Sequence, residues 1–536
     1  MNRMRTLLLL SLLGALTACK WRDNPPLEGA IYCVEGYNQS LNPQVSTPGL
    51  VVSSISAQLY NRLLRLNPVT LRLEGDLADR WQVSRDGLTY RFHLRQNVPF
   101  QTTPWFAPSR MLNADDVLFS FERIINPKHP FHGVSGGRYP FFDAQEMGKL
   151  IRRINRLSAQ EVSFELWQPD AGFLASLASD YAVILSAEYG DRLIAQRARS
   201  QMDTLPVGSG PFALLAYQPD EYLKLVRHPG YWEGQPPLER VVFDFSPSAA
   251  RRVAKLLTGE CQVAAFPAAS QIDFIAQKTQ LKLDIQTNLN TSFLAINTDK
   301  APFNQLKVRQ ALAMAINRRK LLDAIFYDSA DEADSLLPPS SWAHNPNLAP
   351  YPFDPLQAKR LLAEAGYPDG FSMTLWVPPI SRAYNPDPLK TAQLIQSDLK
   401  DVGIQLRIVQ LKPYQMQQRL ARRQQDAVLQ SWVANTMDPD NFYRPLLSCQ
   451  AKQSNANNFS SWCNPHFDLL LDKAIASNKL ADRIADYHLA ETLIKQEVPL
   501  IPLAHALTIH AFRPQLRQLQ VDPMGGVAFK QAYLKD

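Results

Sequence analysis

The chain has 536 residues, of which 46% are hydrophobic and 20% charged, a balance that builds buried cores and excludes disorder, collagen or coiled coil as the main architecture. Its 56 basic and 50 acidic residues leave a formal charge of +6, a mixed surface without a nucleic-acid footprint. The 40 prolines, about 7% against roughly 5% on average, predict numerous turns between short elements.

Arg3 and Arg5 precede a mostly apolar stretch, 6–15, in the order of an n-region and an h-region of a secretory signal. The stretch is too short to span a membrane, which takes about 20 apolar residues. It ends in Leu16-Thr17-Ala18-Cys19, which resembles the lipobox of bacterial lipoproteins, where the cysteine takes a lipid and becomes the mature N-terminus. The expectation is a signal peptide over 1–18, lipidation of Cys19, a tether over 19–26, and an exported body held at the cell envelope or periplasm by lipid alone. Lys20 follows the cysteine in place of an aspartate, which leaves the membrane of residence open. Loss of 1–18 removes Arg3 and Arg5 and lowers the formal charge from +6 to +4.

Cys33, Cys261, Cys449 and Cys463 remain, an even number that in an exported chain implies two disulfides with three possible pairings. A bridge between Cys449 and Cys463 closes a small loop. Cys33 would then pair with Cys261, drawing the N-terminal segment against a region far along the chain. No Cys-x-x-Cys occurs, which argues against zinc ribbons and thioredoxin chemistry.

In chain order, residues 89–95 alternate as a half-buried strand. Asn113 and Asp116 open an apolar-periodic helix to about Ile125. Strands are predicted at 222–227 and 240–245, and a helix over 246–257 started by a serine cap. A strand near 293–297 precedes a helix over 305–327. Asp354-Pro355 begins a helix that Gly366 ends, and a helix over 389–402 closes at Gly403. Strands follow at 404–411, 427–432 and 501–512. The reading is an α/β chain with mixed sheets, without internal repeats or long linkers, and with domains assembled from discontinuous segments. Several chain crossings of that kind can serve as a hinge around a cleft.

The catalytic strings are weak. Gly133-Val-Ser135-Gly136-Gly137 matches G-x-S-x-G, the signature of a serine hydrolase, but prolines on both sides predict a loop instead of the strand and helix a nucleophile elbow needs. Ser397-Asp-Leu-Lys400 falls late in a predicted helix without its companion Lys-Thr-Gly. His129 and His132 share a loop, and no metal-binding motif is present. No cofactor, metal site or catalytic residue is expected. Most of the nine tryptophans, Trp81, Trp105, Trp232, Trp376 and Trp432 among them, are expected as core or turn anchors, with a few lining a ligand cleft.

Several strings together resemble the family 5 extracellular solute-binding proteins, which serve ABC importers of peptides, nickel and related ligands. They are Ala78-Asp-Arg-Trp81 through Asp86-Gly-Leu-Thr-Tyr-Arg-Phe-His-Leu-Arg95 and Val98-Pro-Phe100; Asn113-Ala-Asp-Asp116; Pro206-Val-Gly-Ser-Gly-Pro211-Phe212; Asn297-Thr298; Val308-Arg309-Gln-Ala311; Ala315-Ile-Asn317; Leu361 to Tyr367; and Pro499-Leu-Ile-Pro502. Ile31-Tyr-Cys33, Thr258-Gly-Glu-Cys261, Phe266 to Gln271 and Arg444 to Cys449 resemble the Sap-type branch, associated with peptides, cationic antimicrobial ones included, and with haem. The pairings Cys33–Cys261 and Cys449–Cys463 resemble the bridges of the dipeptide-binding branch. The lipobox departs from many Sap-type members, which carry a plain signal.

The resemblance implies a type II periplasmic-binding fold, two lobes with a hinge plus an inserted domain. Domain I would be 27–70, 206–295 and 502–536, domain II the insertion 71–205, and domain III 296–501. It implies no enzymatic activity, but a monomer that encloses a peptide between domains I and III and delivers it to an ABC permease and ATPase. Haem, a nickel complex or another non-peptide cargo is the alternative ligand class.

Trp432-Val-Ala-Asn435-Thr-Met-Asp438-Pro-Asp440 aligns with the family's ammonium-binding segment. Many peptide binders have an aspartate where this chain has Asn435, and an amide supplies no charge. Either Asp438 substitutes, or the ligand's ammonium stays wet, or the ligand has none. Arg382-Ala-Tyr384-Asn385 resembles the segment whose arginine grips the ligand carboxylate, a task that suits a guanidinium. Trp432 is the expected packing wall. An anion grip kept and a cation grip lost imply an altered ligand class compared with dipeptide binders.

Overall fold

A computed structural model describes residues 29–37, 39–454, 457–522 and 524–535. The expected signal peptide over 1–18, the lipidation of Cys19 and the tether over 19–26 fall outside the described residues. Three sheets organise the rest. The first has seven strands, in the order Lys282–Gln286, Thr508–Phe512, Val263–Ala265, Gly29–Val34, Arg240–Phe245, Tyr222–Arg227 and Phe212–Gln218. Gly29–Val34 runs parallel to both its neighbours, and the other pairs are antiparallel. The Cys33–Cys261 disulfide ties this central strand to the loop before Val263–Ala265, and Cys449–Cys463 closes the small loop of the C-terminal half.

The second sheet has six strands, in the order Ala330–Glu332, Leu500–Ala506, Asn290–Ile296, Ala427–Val433, Ser372–Val377 and Gln405–Gln410. Its central strand Asn290–Ile296 is buried on both faces, and its side chains alternate accordingly. Leu294 and Ile296 enter one hydrophobic core with Leu312, Leu375 and Ile395, while Phe293 and Ala295 enter another with Trp376, Tyr443 and Leu471.

The two sheets are linked by neighbouring crossings. The chain leaves Lys282–Gln286 in the first sheet and enters Asn290–Ile296 in the second; it returns from Leu500–Ala506 to Thr508–Phe512 at Leu507. At the crossings, Asn290 uses its side chain as a backbone substitute: Nδ2 donates to the Ala506 carbonyl at 2.7 Å, and Oδ1 accepts from the Ala506 N–H at 2.9 Å. Asn288 Nδ2 donates to Thr508 Oγ1 at 2.8 Å, and the Leu507 N–H donates to the Ser329 carbonyl at 2.9 Å. Buried polar backbone is thus paired where the sheet ladders stop.

The third sheet is an antiparallel four-stranded one, in the order Ala78–Val83, Thr89–Leu94, Glu161–Leu166 and Ile151–Arg156. Its alternating Tyr90, Phe92 and Leu94 join Phe121 and Phe164 in the same continuous core that holds Tyr32 and Phe243 of the seven-stranded sheet. Asn113 and Asp116 form a capping box that starts the helix Ala114–Ile125.

Several sequence expectations shift. The helix foreseen over 305–327 is two, Leu306–Ala315 and Arg318–Ile325, because Asn317 caps the second by accepting from the Lys320 N–H at 3.0 Å. The helix foreseen from 246 begins at Ala249, since Ser248 is the cap and Ser246 donates to Asp244 instead. The strand foreseen over 501–512 breaks at Leu507, where it changes sheets. The loop around Ser135 has turns on both sides; Ser135 Oγ donates to Asp203 Oδ2 at 2.5 Å, Asp203 pairs with buried Arg123, and His132 faces the Arg123 carbonyl, so no nucleophile elbow is built.

The glycine turn Pro206 to Phe212 has a steric cause. A Cβ on Gly208 would stand 1.9 Å from the Leu59 carbonyl oxygen and one on Gly210 2.5 Å from the Leu59 carbonyl carbon. Buried Gln101 locks this approach, donating to the carbonyls of Leu59, Gly210 and Phe212. Gly208→Ala must push the two backbones apart, and urea unfolding is expected to show a loss of about 3 kcal/mol or more. A loss below about 0.5 kcal/mol would refute the close-approach explanation.

Candidate ligand-binding cleft

A cavity of about 480 Å³ lies where the pieces meet. Its walls come from the start of the helix Leu50–Leu59, the hairpin Leu64–Leu66 with Leu73–Gly75, the segment 171–181, the end of the strand Ala427–Val433 with the turn after it, the first turn of the helix Leu480–Glu497, and the C-terminal pair Asp522 and Met524. Among the described residues the six-stranded sheet reaches it through Val433, and the other walls are a helix start, a two-stranded hairpin and turns far apart in sequence.

The wall on the six-stranded side rests on a buried polar cluster. Arg483 Nη2 donates to Asp438 Oδ2 at 2.6 Å, and Tyr487 Oη donates to Asp438 Oδ1 at 3.2 Å. Arg483 also donates to the Ala474 carbonyl and stacks its guanidinium 4.9 Å from the Trp342 ring. Trp342 Nε1 donates to the Met437 carbonyl at 3.0 Å, fixing the turn. Pairing and hydrogen bonding offset the desolvation that a lone buried charge would suffer. Asp438 lines the cavity as a carboxylate already engaged, and its Oδ1 also accepts from the Asp440 N–H at 3.1 Å, as a turn residue does.

Asn435 lines the same wall. Its backbone N–H donates to Asn441 Oδ1 at 2.9 Å, while its side-chain amide makes no hydrogen bond among the described residues. Trp432 stands behind this wall instead of lining it: its Nε1 donates to the Asn441 carbonyl at 2.9 Å and holds the turn from below. Arg382 and Tyr384 sit elsewhere. Arg382 and Asn385 close a tight turn by two backbone hydrogen bonds, and the half-exposed Arg382 side chain reaches Glu35, just past the central strand of the seven-stranded sheet, at 3.4 Å. Tyr384 packs beside Leu322 and Phe326, and burial raises its hydroxyl above the usual tyrosine range. The structure brings Asn435 and Asp438 together at the cavity and leaves Arg382 and Tyr384 outside its lining.

Sequence reasoning misses the rest of the lining. Arg62, Asp180, Trp342, Arg483 and Asp522 come from five separated segments, and no local spacing joins them. Arg62 pairs with Asp180, while its backbone N–H donates to Asp76 at 2.9 Å. Among the described residues, no group of three His, Cys, Asp or Glu side chains stands in metal-binding geometry.

The comparisons agree on one family. The model of the bacterial extracellular solute-binding proteins, family 5, middle region, matches residues 72–454. The chain is 42% identical to the peptide transport periplasmic protein SapA of Salmonella typhimurium, over 94% of this chain and 91% of the relative. It is 36% identical to heme-binding protein A of Haemophilus influenzae, over 93% of this chain and 91% of the relative. The crystal structure of the dipeptide-binding protein from Pseudoalteromonas sp. SM9913 in complex with Met-Leu superposes with a TM-score of 0.87 at 41% identity, covering 95% of this chain and 100% of that one.

Next to the cavity the segment that follows the strand Glu161–Leu166 meets the helix Pro465–Ala476: the Ala171 N–H donates to the Ile475 carbonyl at 2.8 Å. Asp170 sits in this contact, and burial, then the charges of Asp438 and Asp440, push its carboxyl up to about 7. The folded state thus holds a proton that the unfolded chain releases near pH 4. Its stabilisation is full below that pH and is lost as pH rises through about 7. Asp170→Asn keeps the acceptor for the Gly172 N–H and has no proton to lose. Relative to the parent, it is expected to gain about 2 kcal/mol of stability between pH 5 and pH 8. A pH-independent difference in urea unfolding would overturn this.

Proposed function

The chain belongs to the bacterial extracellular solute-binding proteins of family 5, and we propose that it captures short peptides in the cleft and delivers them to an ABC importer in the periplasm. The observation that carries this reading is the 480 Å³ cavity, within the range of about 300–1,000 Å³ typical of small-ligand sites, walled by segments from both ends and the middle of the chain and bearing an unengaged amide at Asn435. Backbone and amide partners of this kind suit a peptide main chain, and the apolar remainder of the lining, Leu66, Leu71, Leu174 and Met437 among it, suits variable side chains. The relatives named for peptide transport and dipeptide binding support the same class. The crossings at 287–289 and Leu507 are the hinge in this reading, and the lobes close over the ligand about them.

The three-part division belongs to the proposal: 27–70, 206–295 and 502–536 as domain I, 71–205 as domain II, 296–501 as domain III. The origin of the strands in the three sheets supports it, although Asn290–Ile296 and Leu500–Ala506 both lie in the six-stranded sheet, which puts those two boundaries at the crossings 287–289 and Leu507. The export route belongs to the proposal as well: removal of 1–18, lipidation of Cys19, and action as a monomer held to a membrane by lipid. A second reading, capture of haem, draws on the similarity to heme-binding protein A and on the thioethers of Met437 and Met524, soft ligands on the cavity wall. Native mass spectrometry of the protein purified without denaturation separates the two by the mass it carries; absence of any peptide, with bound haem, would reject the peptide reading.

Asn435→Asp places a carboxylate where the amide now faces the cavity. Calorimetry is expected to show about tenfold tighter binding of peptides with a free amino terminus, and no gain for their N-acetylated forms. Equal affinity of variant and parent for free-amine peptides would remove Asn435 from the ligand's reach.

A further inference from the structure

The ionised groups on the cavity wall do not balance. Two guanidinium groups, Arg62 and Arg483, face three carboxylates, Asp180, Asp438 and Asp522. Arg483 is committed to Asp438. Arg62 is committed to Asp180, and its backbone N–H serves Asp76 as well. Asp522 is left. Its Oδ1 accepts from the Met524 N–H at 2.8 Å, as in a turn, and among the described residues it has no ion-pair partner and no partner for its second oxygen. Arg65, the next cation along the hairpin, is engaged by Glu74 and Glu233.

Two carboxylates beside one guanidinium in a half-buried wall leave a negative charge unmatched. In the empty cleft a proton can match it: burial, then the charge of Asp180, push the Asp522 carboxyl up to about 7, against the smaller opposing pull of Arg62. A ligand cation can take the proton's place. Asn435 in the same lining is an uncharged amide, and Asp438 is spent on Arg483, so neither offers a spare charge.

We propose that Asp522, backed by Asp180, is the cation-binding pole of this cleft and takes a primary ammonium of the ligand. The proposal rests on the peptide reading for the identity of the ligand, but the pole itself requires only an alkylammonium. A cation seated there displaces the proton, so its binding strengthens as pH rises through 7.

The test uses the purified protein, Asp522→Asn and Asp180→Asn. Asparagine at 522 keeps the acceptor for the Met524 N–H, so the turn is retained. The probes are n-propylammonium chloride, trialanine, N-acetyl-trialanine and N-acetyl-Ala-Lys-Ala, followed by calorimetry and by thermal unfolding. The parent is expected to bind trialanine at least about tenfold more tightly than its acetylated form, and Asp522→Asn to bring the two within about twofold. n-Propylammonium should raise the melting temperature of the parent and not of Asp522→Asn, with about tenfold weaker binding at pH 6 than at pH 8 as the proton competes. Recovery of affinity by the acetylated lysyl peptide would place a side-chain ammonium in the pole; no recovery would place the α-ammonium there. If n-propylammonium acts as expected while no peptide binds, the pole stands and the peptide reading falls. If peptides bind but acetylation and Asp522→Asn leave affinity unchanged, the pole is overturned and the peptide reading survives. Asp180→Asn should weaken the pH dependence of n-propylammonium binding between 6 and 8, since burial still raises Asp522 but Asp180 no longer does and Arg62 is left to Asp522; an unchanged dependence would overturn the pairing.

Discussion

Two passages of chain run side by side between the large sheets, and the rest of the molecule is arranged around them. Ladder hydrogen bonding stops there, so the backbone groups need other partners in a buried setting. Asn290 supplies them with one amide that donates to and accepts from Ala506, and Asn288 adds a bond to Thr508. A joint made of side-chain amides fixes which residues face each other without extending either sheet through it. The cavity draws wall residues from chain on both sides of this joint, Val433 from the six-stranded sheet and Asp522 and Met524 from the segment after the returning strand.

The cleft shows how charge is managed away from water. Asp438 looks from the sequence like a spare carboxylate, yet it is held by Arg483 and Tyr487, and Arg483 is itself covered by Trp342. Such a cluster is costly to break and is therefore a wall more than a grip. Asp170, Glu491 and Asp522 have no ion-pair partner among the described residues, and burial pushes each carboxyl up to about 7. Buried His505 and His510 pull the other way, held near 4 by desolvation. These histidines cost stability as pH falls from about 6.5 towards 4, whereas the raised carboxyls cost it as pH rises from about 4 towards 7. The opposing slopes flatten the overall pH dependence of folding, which is why single variants at these sites reveal what the parent conceals.

Much of the fold was legible because its signals are local. Alternation in 89–95, the capping pair Asn113 and Asp116, the cap-plus-proline start at Asp354-Pro355 and the terminating Gly403 each depend on near neighbours. The errors fell where two local signals competed. Helical spacing across 305–327 was continuous, but Asn317 offered a better cap than an interior residue and split it. The strand 501–512 was continuous in hydrophobicity, but its two halves belong to different sheets.

The family, the α/β class, the even set of four cysteines and the amide at Asn435 could be read before any fold was known, because motifs and residue types are carried by the chain regardless of its path. Only the tertiary structure decided which charges were spent. Arg62 and Asp180, Asp438 and Arg483, and Asp522 lie up to several hundred residues apart, and whether a carboxylate is paired, neutral or waiting for a cation depends on what folding places within a few ångströms of it.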